Sequence, residues 1–199
     1  MQNFYEFGTC LPEWNSSGFI PPIHPSVNGF DLNRSPYSVR ISDFVEEYAT
    51  SNIRIDILNG LLDYRKALRD ANIAQGFQWI DGSFSENIEL IEGRSPRDID
   101  VLTYIRLSEG DTDDKLFSRA PIIFDKKQVK KLWKVDGYLH PLGDEVDYNS
   151  IKMISYWYSM WSHRRNNDWK GFVQISLDYS YDEEARNIIC RKQGDQYEK

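Results

Sequence analysis

The sequence predicts one α/β (α+β) domain, a mixed β-sheet flanked by helices, with an irregular N-terminal arm packed on it. Three observations predict this. Over 199 residues, 40% are apolar and 14% aromatic, enough large side chains to offset the chain entropy lost in forming one core. Helical periodicity alternates with short β-branched runs along most of the chain. Five of the eight prolines, by contrast, fall within the first 36 residues, which assigns residues 1–36 to an arm and residues 37–199 to the domain.

The elements follow in order. In the arm, LPEWNSSGFIPPIHPSVNGFDLNRSP is crowded with Gly, Asn and Ser, and Trp14, Phe19, Ile20 and Phe30 interrupt its polarity. These four side chains are expected to seat the arm on the domain surface. ISDFVEEYATS predicts a short helix. A longer one follows in NIRIDILNGLLDYRKALRDAN, where Ile57, Leu61, Tyr64 and Leu68 recur at spacings of four, three and four and Ser51 is placed as the cap. FQWIDGSF reads as a strand closed by an Asp-Gly-Ser turn, with a polar loop expected after it. RDIDVLTYIRL, rich in β-branched residues, is a second strand. KKQVKKLWK predicts a helix leading into a third strand, VDGYL. The aromatic helix SIKMISYWYSMWSH precedes a fourth strand, GFVQISLD, and a last helix runs through DEEARNIICRK.

Charge and cysteine content exclude several function classes. Lys plus Arg number 24 against 31 Asp plus Glu, a formal charge of −7, which argues against indiscriminate binding to nucleic acid through bulk charge but leaves room for a local basic patch. No run of 18 apolar residues exists, and MQNFYEFGTC lacks the basic start and apolar stretch of a signal peptide, so a cytoplasmic protein without a membrane partner is expected. Cys10 and Cys190 lack CxxC spacing, and His24, His140 and His163 are scattered. Any metal is therefore expected on oxygen ligands. No GxSxG elbow supports serine hydrolase chemistry.

The residues that carry chemistry centre on Asp98 and Asp100. Two apart in a predicted strand, they share one face while Ile99 and Val101 turn to the other. Such a pair is tolerated at a water-washed edge, or it is neutralised by a divalent cation such as Mg²⁺. Upstream, Gly82 and Ser83 close the preceding strand, and a Gly-Ser turn either is an ordinary turn or offers backbone N–H groups and a hydroxyl to phosphate oxygens. The combination is sharper than its parts: an apolar strand, Gly82-Ser83, a gap of 14 residues, then Asp98-Ile99-Asp100 in a second apolar strand.

That combination resembles the signature of the nucleotidyltransferase superfamily, with its polymerase beta-like fold, across about residues 77 to 140. More widely, GFIPP, the helix around Arg54, WIDGSF, SPRDIDVL, VDGYL and KGFVQI resemble an uncharacterised bacterial family of small predicted nucleotidyltransferases. The resemblance implies that Gly82 and Ser83 hold the phosphates of a nucleoside triphosphate such as ATP and that Asp98 and Asp100 bind Mg²⁺ or Mn²⁺. It implies a third carboxylate on a later strand. Asp136, at the start of VDGYL, is the candidate, in preference to Asp144 and Asp147 in the polar loop LGDEVDYNS; its alternative reading is a turn aspartate before Gly137. The implied reaction moves a nucleoside monophosphate to a hydroxyl of RNA or tRNA, a protein side chain or another nucleotide. By analogy with small relatives, the setting is a bacterial toxin–antitoxin or phage-defence system with an operon-encoded protein partner. The alternative is a catalytically silent module of the same fold with a binding or regulatory role.

Three further features have competing readings. DTDD at 111 to 114 reads as a solvated loop or helix start. Tyr156, Trp157, Tyr158 and Trp161 could stack bases, but with Met153, Ile154 and Met160 at helical spacing they read as core. His163, Arg164, Arg165 and Lys170 either bring positive charge to the phosphate cleft or form a solvated helix C-terminus. Of these, Arg164, Arg165 and Lys170 are the expected substrate-binding cations, because their charge is fixed near neutral pH.

Overall fold

The structure, a computed structural model, describes residues 10–143 and 146–197. Among these, five strands form one mixed sheet: β1 (Tyr37–Val39), β2 (Gln75–Asp81), β3 (Ile99–Arg106), β4 (Val135–Pro141) and β5 (Val173–Ser176), in the order β1-β5-β2-β3-β4. β2 runs antiparallel to its neighbours β3 and β5, while β1 parallels β5 and β4 parallels β3. The α+β class is as the sequence predicts. No helix of the described residues is long and apolar enough to cross a membrane.

Alternation along the strands separates two cores. Ile80, Val101 and Ile105 face one way, towards Ile57, Leu58, Leu61 and Leu68 of α2 (Asn52–Asp70), with Phe44 and Val45 of α1 (Ile41–Tyr48) and Ile189 of α7 (Asp182–Tyr197) in the same cluster. Trp79, Leu102 and Tyr104 face the other way and pack with Phe172 and with Trp157 and Trp161 of α6 (Tyr148–Trp161). Ser51 caps α2 by accepting from the Arg54 N–H, as its position predicts.

Several expectations need correction. The stretch after β2 is not all loop, because α3 (Ile88–Glu92) forms behind an Asn87 cap. Thr112 caps a further helix, α4 (Asp113–Arg119), so of its two readings DTDD takes the helix start; a 3₁₀ turn (Pro121–Phe124) follows it. Asp98 lies one residue ahead of β3 rather than inside it. Of the arm's large side chains, Phe19 and Ile20 are buried and Trp14 half-buried, but Phe30 is 98% exposed: its neighbours turn on their own Asn and Asp side chains and carry the ring away from the sheet. In α6 only Trp157 and Trp161 are buried; Met153, Tyr156, Tyr158 and Met160 are exposed, because a single helix on the outside of a sheet buries one stripe. Asp147 caps α6 by accepting from the Ser150 N–H, and Asp144 lies outside the described residues.

Candidate functional site

The carboxylates line up across three strands. Asp81 of β2 stands opposite Asp100 of β3, and Asp100 stands opposite Asp136 of β4. Paired positions share a face, so all three lie on the side that carries Trp79, Leu102 and Tyr138. Asp98 joins the row at its edge: the Lys130 ammonium lies 2.7 Å from Asp98 Oδ2 and 3.0 Å from Asp136 Oδ2. Lys126 approaches the second oxygen of Asp136, at 2.7 Å, off the line a hydrogen bond would take.

Both lysines come from α5 (Lys126–Trp133), one helical turn apart on one face. The helix is fixed in place. Asp125 caps it by accepting from the Lys127 and Gln128 N–H groups, Val129 is buried, and Gly60 in the middle of α2 lets the Trp133 carbonyl approach where a β-carbon would meet it at 1.9 Å. The requirement for a small residue at position 60 thus places α5, and α5 places two ammonium groups on the carboxylate row.

The turn after β2 is built just as tightly. Gly82 has φ +82°, and a β-carbon there would fall 1.8 Å from Asp100 Oδ2. Ser85 Oγ–H lies 3.1 Å from Asp81 Oδ1 and 2.9 Å from the Gly82 carbonyl, which close the turn. Arg54, fully buried at the start of α2, donates to both Glu89 oxygens at 2.8 Å and to the Phe84 and Glu86 carbonyls, at 2.8 and 2.6 Å. Its guanidinium also lies over the Trp14 and Phe84 rings. The arm contributes through Trp14, whose indole N–H donates to the Ser85 carbonyl, and through Gly18, whose carbonyl accepts from the Asn87 N–H.

A cavity of about 700 Å³ opens on this turn. Gly82, Ser83 and Asp100 line one wall, and His163, Arg164, Arg165 and Lys170 line another. The four C-terminal residues therefore do share a cleft with the Gly-Ser turn. Their charges are already engaged in part. Lys170 is buried between Asp81 Oδ1 at 2.7 Å and Glu86 Oε1 at 2.9 Å; burial works against its charge, but the two carboxylates outweigh it and raise its pKa. Arg164 reaches Glu86 and Glu92, both at 3.2 Å, and stacks on Phe19. Arg165 is exposed and makes no ion pair among the described residues.

Asp100 is the exception in the row. No hydrogen bond or ion pair reaches its carboxylate among the described residues, and burial, then the charges of Asp81, Asp136 and Asp98, push its pKa up to about 6. Burial also works to raise Asp136, but Lys126 and Lys130 outweigh it and hold that carboxyl below the usual range. The donors are carboxylate and hydroxyl oxygens, the kind that Mg²⁺ or Mn²⁺ takes, and the one uncompensated carboxylate faces the cavity where Gly82 leaves room. The donor chemistry of the row therefore suits a hard divalent cation, while the geometry leaves Asp100 as its one unpaired carboxylate among the described residues. Among the described residues no three His, Cys, Asp or Glu side chains converge on one point, since Asp98 and Asp136 are turned to the lysines.

The structure thus brings Gly82, Ser83 and Asp100 together with Arg164, Arg165 and Lys170, and sets Asp98 and Asp136 beside them. Sequence reasoning missed Asp81, Glu86, Lys126 and Lys130. Asp81 was legible as a residue of the Asp-Gly-Ser turn, whereas the lysines at i and i+4 of α5 look like an ordinary solvated face until the β3–β4 register is known. No curated protein and no solved structure matches this chain. A family of unknown function, DUF6932, matches residues 12–176, a span that takes in residues 12–36 of the arm, the carboxylate row and the basic cluster, and the chain belongs to that family.

Proposed function

We propose that the protein is a metal-dependent nucleotidyltransferase that moves a nucleoside monophosphate from a nucleoside triphosphate to a hydroxyl acceptor. The observation that carries this reading is the unpartnered Asp100 carboxylate on the wall of the cavity, against a turn whose Gly82 has no room for a side chain. Asp100 would hold the cation, with Asp98 and Asp136 joining it on release from Lys126 and Lys130. Bound Mg²⁺ or Mn²⁺ supplies charge neutralisation of the phosphates and a lowered pKa for an acceptor hydroxyl. Gly82 and Ser83 would offer backbone N–H groups and a hydroxyl to phosphate oxygens, and Arg165, which makes no ion pair among the described residues, would offer a cation at the rim. RNA or tRNA, a protein side chain and a nucleotide are the acceptor classes, in a cytoplasmic setting. The test is incubation with each α-labelled triphosphate, Mg²⁺ or Mn²⁺, and bulk cellular RNA or protein. Label transfer by the parent and its loss on changing Asp98 and Asp100 to Asn are expected. A parent that neither binds a triphosphate nor transfers label overturns the reading.

The lysine pairs on Asp98 and Asp136 favour one second reading, a catalytically silent regulatory module. It requires triphosphate binding without transfer to any acceptor.

A further inference from the structure

Helix α6 leaves one flank uncovered, and that flank faces the lysines of α5. Trp157 points into the sheet, its ring 4.7 Å from that of Tyr138 on β4. Successive residues turn by about 100° around a helix, so Tyr156 and Tyr158 leave Trp157 on opposite sides. Tyr158 goes to the β5 side, where it packs on Trp79 and Phe172 and donates to the Ser35 carbonyl. Tyr156 therefore faces the β4 edge, and Met153 and Met160, three before and four after it, share its flank. All three are exposed, and Met160 also lines the cavity. The opposite wall stands across Tyr138: the Lys126 ammonium lies 3.7 Å above that ring, and Lys130 follows one turn later beside Asp98 and Asp136.

We propose that this strip binds a single-stranded polynucleotide, its bases stacked on Tyr156 and its phosphates on the lysines of α5, and leads the terminal hydroxyl of the strand to the cavity at Asp100. The inference deepens the transferase reading, on which it rests for the role of the strand, by naming the acceptor class. Such a strand is held by two things, a flat π surface that suits any base and cations along the backbone, and the strip carries both. Lys126 and Lys130 are nearly half exposed, and an ammonium has three N–H donors, so each keeps one for a phosphate oxygen with its carboxylate contacts intact. Lys127 and Lys131, exposed on the adjoining face, make no ion pair among the described residues. They bring uncompensated positive charge to a chain of formal charge −7, the local complement that a phosphate backbone needs. From Met153 to Met160 the flank runs roughly 10 Å at ~1.5 Å per residue, against the ~3.4 Å that one stacked nucleotide spans. A free nucleotide as acceptor leaves that length unused, and a duplex, with its bases stacked on one another, offers Tyr156 none.

The experiment is fluorescence anisotropy of a short labelled single strand, RNA in one arm and DNA of the same sequence in the other, against the full chain at low salt in EDTA. Binding in either arm is expected, and the tighter arm identifies the sugar. Tyr156→Ala should weaken it about tenfold and Tyr156→Phe leave it unchanged, because the π face is what the base meets. Changing Lys127 and Lys131 to Gln should weaken it several-fold and lower the slope of log affinity against log salt by about 1.4, ~0.7 for each lost phosphate contact. Absence of binding in both arms overturns the inference; label transfer to a protein or a nucleotide then keeps the transferase reading standing, whereas no transfer to any acceptor removes both. Binding that Tyr156→Ala does not change, or that a duplex of the same sequence matches, also overturns it. Should that variant fail to fold, ultraviolet crosslinking of the parent to a strand carrying a thiolated pyrimidine answers the same question. Crosslinks are expected on the tryptic peptide Met153–Arg164, and crosslinks confined to other peptides overturn the inference.

Discussion

Gly82 and Asp100 meet across the β2–β3 pair so closely that a β-carbon on Gly82 would lie 1.8 Å from the Asp100 carboxylate. The left-handed backbone at Gly82, φ +82°, adds strain for any other residue. Gly82→Ala is therefore expected to cost about 1–3 kcal/mol of stability by urea unfolding. Asp100→Ala in the same chain removes the clash, so the double variant should recover part of that loss. Strict additivity of the two changes would mean that the residues do not touch.

Asp100 also makes stability depend on pH in a direction opposite to most carboxylates. Its pKa in the fold is about 6, against 3.8 for the unperturbed group. A raised carboxyl pKa penalises the folded state above about 6, less between 6 and 3.8, and not at all once both states are protonated. With metal removed by EDTA, Asp100→Asn should gain on the order of 1–2 kcal/mol at pH 7, discounted for partial exposure, and only a small part of that at pH 4. Thermal unfolding at pH 4, 5.5 and 7 checks this. A gain that does not change with pH would assign the effect to packing.

Helix α2, strands β2 and β3 and the α5–β4 unit were legible because each carries its own periodicity and, for α2, a capping Ser. β1 was not, since three residues in a Pro-rich stretch gain strand character only from pairing with β5, more than a hundred positions away. The site divides the same way. Gly82, Ser83, Asp98 and Asp100 were readable from spacing along the chain. Asp81 and the two lysines depend on register between strands and on the seat of α5, neither of which local sequence encodes. Arg54 was legible only as a member of a helix; its burial and its hold on the turn are tertiary.

Arg54 is the side chain on which the turn depends most. It satisfies two backbone carbonyls and Glu89 from a fully buried position. Burial tends to raise Glu89, yet the guanidinium outweighs it and keeps that carboxyl below the usual range. Arg54→Met leaves these acceptors without a donor and is expected to cost about 3–5 kcal/mol. Arg54→Lys should fall between, because a single ammonium cannot form the bidentate pair. If calorimetry found Arg54→Met as stable as the parent, the turn would have to be held by Ser85 and the arm instead.

The cations of the cleft should separate by what they already hold. Lys170, buried between Asp81 and Glu86, leaves two carboxylates uncompensated when removed, so Lys170→Met is expected to cost about 3–5 kcal/mol and to abolish ligand binding through loss of the wall itself. Arg164 is tied to Glu86 and Glu92 and stacked on Phe19, so Arg164→Gln should lower both stability, by about 1–2 kcal/mol, and triphosphate binding. Arg165 is exposed at the rim and has no ion pair to lose among the described residues. Arg165→Gln should leave thermal unfolding unchanged and weaken triphosphate binding several-fold at low salt, with the difference shrinking as ionic strength rises and screening shortens the reach of the charge. Equal losses of binding for Arg164→Gln and Arg165→Gln at every salt concentration would show that neither meets the phosphates directly.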